Sequence, residues 1–178
     1  MNVIKTKLLD CIILQPKVFG DNRGFFLETF HVERYAKHAG ITLPFLQDNH
    51  SRSSKGVLRG LHFQKSKPQG KLVRVVHGEV FDVALDMRQG SPTFGQWEAV
   101  VLSGENKTQF WIPPGFAHGF VVLSQSADFE YKCTDYYDPS DEESILWNDS
   151  DLNIPWPINN PQLSEKDANA SKFADLKL

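Results

Sequence analysis

Cysteine is nearly absent: Cys11 and Cys133 are the only two in the 178-residue chain. Two thiols so far apart exclude a disulfide framework and a zinc knuckle. Their plainest reading is a pair of reduced core side chains in a cytoplasmic protein. Positive charge is not in excess either. A formal net charge of −3 and the lack of any basic run leave nothing to attract nucleic acid. Long apolar runs are missing too. The N-terminal stretch of Leu8, Leu9 and Cys11 to Leu14 is interrupted by Asp10, too short for a secretory core, and nothing approaches a membrane span. No internal repeat, low-complexity segment or linker divides the chain. What remains is 40% hydrophobic, enough for a single domain over residues 1–178 with a sizeable core.

Turn signals recur instead, at Gly20-Asp21-Asn22, Ser53-Ser54-Lys55-Gly56, Pro68-Gln69-Gly70, Gly90-Ser91-Pro92, Pro113-Pro114-Gly115 and Asp138-Pro139-Ser140. Between them, residues 72–76, 80–87, 97–102, 109–112, 119–123 and 129–134 are short runs rich in Val, Ile, Phe and Trp. Many short strands with regular turns predict an all-β sandwich or barrel. Alternation puts Phe81, Val83, Leu85 and Met87 on one face and Val80, Asp82, Ala84 and Asp86 on the other. Two helices are expected. One spans residues 31–39, where Val32, Tyr35, Ala36 and Ala39 share a face and Gly40 supplies the stop. The other spans about 164–176, opened by the capping pattern Ser164-Glu165-Lys166-Asp167.

The chemistry concentrates in GVLRGLHFQKSKPQGK (56–71). A strand that buries one face has no packing use for His62 and nearby cations, because unpaired buried charge is costly. Histidine is the side chain whose ordinary pKa lies nearest neutrality, so His62 can act as a base; it could equally be a hydrogen-bonded core histidine. Lys71 opens the next strand after a turn expected to return the chain beside His62, where an ammonium could stabilise an oxyanion. Arg59, three positions before His62, lies on the opposite face of a regular strand. Both could serve one pocket only if Gly60 marks a bulge. Tyr131 shares parity with Phe129 and Cys133, which fits a core phenol or an inward general acid. Asp167 reads either as a first-turn carboxylate beside the helix dipole or as the group orienting His62.

Pro113-x-Gly115-x-x-His118 is similar to the second cupin motif, whose histidine binds metal. The first such motif would need a second imidazole where this chain has Gln64 in His62-Phe63-Gln64. An amide is a poor transition-metal ligand, so a metal is not expected.

Longer blocks carry a closer resemblance: DNRGFFLE (21–28), QDNHS (47–51), VLRGLHFQ (57–64), KLVRV (71–75), VALDMR (83–88), WIPPGFAHGF (111–120) and SEKD (164–167). In that order they resemble the dTDP-4-dehydrorhamnose 3,5-epimerases across nearly the whole chain. The resemblance implies a cupin-like jelly-roll barrel with a few short peripheral helices, working without metal or cofactor. It also implies a homodimer that exchanges an N-terminal strand. The implied substrate is a dTDP-4-keto-6-deoxy sugar of rhamnose biosynthesis for cell-surface polysaccharide. Carried over by residue, His62 is the base, Asp167 its partner, Tyr131 the opposing acid and Lys71 the enolate stabiliser. Arg59 and Lys166 would lie near the diphosphate and sugar, with Gln47, Asn49, His118 and Glu142 as further contacts and Tyr137 stacking on thymine. Arg23 and Glu28 would come from the partner subunit. For Arg23, Arg59 and Lys71 the alternative is plain surface charge. Of two other activities on the same fold, a 3,4-ketoisomerase is disfavoured by Tyr131 and Lys71, while a single-centre (3- or 5-) epimerase would use the same residues as a double inversion. A non-catalytic sugar-binding β-sandwich leaves His62 unexplained.

Overall fold

Residues 80–87 alternate as the sequence predicts, and both faces are covered. Val80 and Ala84 pack into one hydrophobic cluster, while Phe81, Val83, Leu85 and Met87 belong to a second on the other side of the same strand. A strand covered on both faces lies in the middle layer of a layered fold. The computed structural model, whose described residues are 1–177, bears this out.

Among the described residues, thirteen strands and two α-helices follow in chain order. They are β1 (Asn2–Lys5), β2 (Ile12–Gln15), β3 (Val18–Asp21), β4 (Gly24–Leu27), α1 (Val32–Ala39), β5 (Gln47–Ser54), β6 (Leu58–Gln64) and β7 (Lys71–His77). Then come β8 (Glu79–Asp86), β9 (Trp97–Ser103), β10 (Gln109–Ile112), β11 (Phe116–Val122), β12 (Ser126–Cys133), β13 (Glu142–Ser144) and α2 (Glu165–Ala168). A six-stranded sheet runs β1-β2-β10-β7-β12-β5 and a five-stranded sheet runs β13-β6-β11-β8-β9. Antiparallel pairing holds throughout both. The jelly roll is therefore two facing sheets rather than a closed barrel, since the outermost strands of one sheet do not pair with those of the other. β3 and β4 form a separate hairpin.

Three apolar clusters hold these layers. Val73, Phe110 and Phe129 meet Val80, Phe116 and Phe120 between the sheets. Leu61, Val83 and Ile145, behind the five-stranded sheet, are covered by the C-terminal chain through Leu152, Trp156 and Phe173. Tyr35 of α1 packs with Leu14, Leu72 and Trp111 behind the six-stranded sheet. The helix takes His31 as N-cap and ends at Gly40, whose φ of 69° is the left-handed stop expected there.

Two elements differ from the sequence reading. β5 is a strand without an apolar run. It pairs with β12 from Gln47 to Ser54, and its odd positions turn inward while its even positions are exposed. The expected helix over 164–176 stops at Ala168. Ser164 caps it as anticipated, accepting from Asp167 N at 3.1 Å. Beyond Asn169 tertiary bonds take over: Leu146 N donates to Ser171 O at 2.8 Å and Phe173 N to Asp149 Oδ2 at 2.8 Å. A 3₁₀ turn at Phe173–Asp175 ends the chain's described structure. No helix among the described residues is long and apolar enough to cross a membrane.

Candidate active site

A cleft of about 580 Å³ opens between the two sheets at the end where β6, β12 and α2 converge, the size and setting of a small-molecule site. His62, Arg59 and His118 reach it from the five-stranded sheet; Lys71, Tyr131, Gln47 and Asn49 reach it from the six-stranded one. Glu142, Tyr137 and Asp167 complete its lining.

Arg59 and His62 share this wall because β6 carries an extra residue. His118 pairs with His62, but Phe120, two positions on, pairs with Arg59, three positions back. Gly60 takes up the difference at a φ of 114°, in the region that glycine tolerates best. The bulge inferred from Gly60 is present. The turn after β6 does something the sequence did not indicate: it carries the chain into the other sheet. Lys71 thus faces His62 across the cleft instead of lying beside it. Gln69 Nε2 donates to Asp135 O and Gly70 N to Thr134 Oγ1, both at 2.8 Å, which fixes that crossing.

His62 Nε2 lies 2.5 Å from Asp167 Oδ1. Burial would raise the Asp167 carboxyl, but the His62 hydrogen bond and charge, with Ser164 and the Gly60 N–H, bring it below the usual aspartate value. It stays ionised and orients the ring. His62 Nδ1 is 3.8 Å from Glu142 Oε1, beyond a hydrogen bond, and is the nitrogen left to take a proton. Glu142 is held by Lys166 Nζ and by Tyr137 O–H, which donates at 3.1 Å.

Across the cleft, Tyr131 packs 5.9 Å from the Phe129 ring. Burial pushes its phenol up to about 12, so it stays protonated at neutral pH. Burial lowers the Lys71 ammonium, opposed by Cys133, Glu142 and Asp82. A base, a loaded acid and a cation thus surround one hollow, with base and acid on opposite walls. A carbonyl compound bound between them could lose a proton to one side and regain one from the other.

The remaining expected residues divide clearly. Asn49 Nδ2 approaches Cys133 Sγ at 3.6 Å, Gln47 accepts from Tyr137 N at 2.9 Å, and Arg59 Nε donates to Ser53 Oγ at 3.0 Å. Lys166 touches the site only through Glu142. Arg23 and Glu28 do not line the cleft. Arg23 sits at the tip of the β3–β4 hairpin bonded to Asp21, and Glu28 pairs with Arg34 at 3.3 Å.

Asp82 supports the site, a role that its place on one face of residues 80–87 does not by itself reveal. It is fully buried on β8, and both its oxygens lie within reach of His118 Nε2, at 3.1 and 2.9 Å. Burial raises its carboxyl, with His118 and Lys71 opposing. An aspartate inside Val80–Leu85 was itself the signal, since a carboxylate in a doubly covered strand must have a partner.

The cupin-like pair His62 and His118 do face each other across β6 and β11. The third position of the metal motif is occupied otherwise. Gln64 Nε2 donates to Lys67 O at 2.8 Å and Tyr136 O at 3.2 Å, and its Oε1 accepts from Asp138 N at 2.9 Å. Its amide staples two loops. Among the described residues no three His, Cys, Asp or Glu side chains are grouped to hold a metal ion.

Known proteins share this arrangement of sheets and sequence. A family model described as dTDP-4-dehydrorhamnose 3,5-epimerase matches residues 5–175. The epimerase of that name from Salmonella typhimurium LT2 is 60% identical over 172 residues, covering 96% of this chain and 94% of its own. The crystal structure of dTDP-6-deoxy-D-glucose-3,5-epimerase from Legionella pneumophila Philadelphia 1, in complex with dTDP-4-keto-L-rhamnose, is 59% identical. It superimposes with a TM-score of 0.96 over 99% of this chain and 94% of that one. A 3′-monoepimerase from Streptomyces bikiniensis in complex with dTDP-quinovose is more distant, at 34% identity and a TM-score of 0.90, covering 96% and 87%. The two-sheet cleft with its facing imidazole and phenol is thus set in a chain that belongs to the dTDP-4-dehydrorhamnose 3,5-epimerase family.

Proposed function

We propose that the protein inverts C3 and C5 of dTDP-4-dehydro-6-deoxy-D-glucose to give dTDP-4-dehydro-L-rhamnose. The observation that carries this reading is the placement of His62, paired with Asp167, and Tyr131 on opposite walls of one cleft that also holds Lys71. The C4 ketone acidifies the hydrogens on both neighbouring carbons. His62 removes one, the C–H electrons move onto O4, and the Lys71 ammonium stabilises the enolate. The phenol of Tyr131 returns a proton to the opposite face of the same carbon, and the configuration inverts. The tyrosinate and imidazolium then reset by exchange with solvent before the second carbon is processed. Asp167 holds the imidazole's orientation throughout. Arg59 and Lys166 suit the diphosphate and sugar, Gln47, Asn49, His118 and Glu142 the remaining polar groups, and Tyr137 the base.

The functional unit in this reading is a homodimer. Phe25 and Phe26 on the β3–β4 hairpin are 59% and 69% exposed, an apolar surface suited to a second copy. From there the partner's Arg23 and Glu28 would complete the nucleotide site. Sedimentation at assay concentration should give a dimer, and an active monomer would overturn this part.

Incubation with dTDP-4-dehydro-6-deoxyglucose in D₂O tests the chemistry, because two inversions must place deuterium at both C3 and C5 of the product. A second reading, inversion at one centre only, is favoured by the likeness to the 3′-monoepimerase. Label confined to one carbon would establish it instead.

A further inference from the structure

Among the described residues, one buried side-chain polar atom has no hydrogen-bond partner: the hydroxyl oxygen of Ser144. Its position is informative. Leu61 and Ile145 exchange both backbone bonds between β6 and β13, at 3.3 and 2.9 Å. The next pair in register is His62 with Ser144, so it is the non-hydrogen-bonded kind, whose side chains stand closest across an antiparallel ladder. Leu61 and Ile145 turn into the cluster behind the sheet. Ser144 therefore shares the opposite face with His62 and with Glu142 two positions away. Ser144 does not line the cleft and is only 8% exposed, so bound substrate would not reach it. The residue opposite it in register is His62, whose imidazole is held at Nε2 by Asp167.

We propose that Ser144 is a positioning residue for His62, turning its hydroxyl oxygen towards the ring when the imidazole takes up the substrate's proton. The resting hydroxyl is an orphan that costs folding stability. The imidazolium formed in turnover is the state that gains from an oxygen dipole at this spot. A serine can serve it by turning about its Cα–Cβ bond, which brings a hydroxyl acceptor towards the ring. The inference rests on the reading of His62 as the base.

Ser144→Ala separates this from a packing role. The variant should melt at or above the native temperature, since an unpaired buried hydroxyl is lost. Its kcat should fall about tenfold, the worth of a weak hydrogen bond to a charged group, with KM unchanged. The acid limb of the kcat/KM profile should move down by about one unit, as the imidazolium loses the same support. A lower melting temperature would mean that the hydroxyl has a partner in the resting fold, and an unmoved acid limb with native kcat would mean that it does not act on the ring. Either overturns the proposal. His62→Asn, measured alongside, keeps the two levels apart. If His62→Asn still exchanges deuterium, the base assignment fails; if it is inactive and Ser144→Ala is native in every respect, the Ser144 role alone fails.

Discussion

Arg59 and His62 point into one cleft although three positions separate them on a strand, because the extra residue at Gly60 shifts the register against β11. A Cβ on Gly60 would lie 2.6 Å from both Gly119 Cα and His118 O, backbone that cannot yield without disturbing β11. Gly60→Ala should therefore cost roughly 3 kcal/mol or more of stability. It should also displace Arg59 relative to His62, so that any folded fraction shows raised KM together with low kcat. Denaturant titration and steady-state kinetics on the same preparation check both. A variant of native stability would mean that the bulge is not needed for packing.

His62→Asn and Tyr131→Phe should fail in different ways. Loss of the base should lower deuterium exchange and product formation together by two or more orders of magnitude. Tyr131→Phe keeps the base, Lys71 and the cleft's shape. Its enolate should still form, and the same-face imidazolium should return a deuteron with retention. Label should then enter a substrate whose configuration is largely unchanged. Inversion of C5 at the native rate by Tyr131→Phe would remove Tyr131 from the mechanism.

If Lys71 stabilises the enolate as proposed, it should set the alkaline side of activity. Its folded pKa lies below the ordinary 10.5 because burial disfavours the ammonium. Rate should fall as pH rises through that lowered value, since the neutral amine cannot stabilise the enolate. Stability should respond with the opposite sign. Between the folded pKa and about 10.4 the unfolded chain binds more protons, so the folded state gains as pH rises. Lys71→Met should abolish the alkaline limb and lower kcat by roughly 10²–10³. A native alkaline limb in that variant would assign the limb to another group.

Asp86 should matter to folding and not to turnover. Burial would raise its carboxyl, but hydrogen bonds from Arg88, Ser91 and Thr93 bring it down to about 2. The stabilisation is present above about pH 4, the unfolded value, and is lost as pH falls towards 2. Asp86→Asn should cost about 2 kcal/mol at neutral pH and flatten the acid side of the stability curve. Because Asp86 does not line the cleft, kcat should stay native. An unchanged acid unfolding profile would show that the network contributes little.

Local pattern alone determined much of this protein. Short apolar runs between turn signals located β7 to β12, and alternation separated the two faces of β8. Tyr35's helix and its Gly40 stop followed from spacing, and the cost of burying charge singled out His62 and Lys71 within apolar runs. Tertiary structure decided what periodicity does not encode, namely which distant segments meet. β5 is polar because Gln47, Asn49 and Ser51 line a polar cleft and its even positions are exposed, so only pairing with β12 reveals it as a strand. The 164–176 helix gave way after Ala168 because backbone bonds to Leu146 and a carboxylate bond from Asp149 outweigh a few weak helical turns. Asp167 reaches His62 across 105 residues, and Lys71 crosses to the facing sheet. Each depends on chain closure and layer packing, whose free energy comes from contacts remote in sequence, and no window of neighbouring residues contains them.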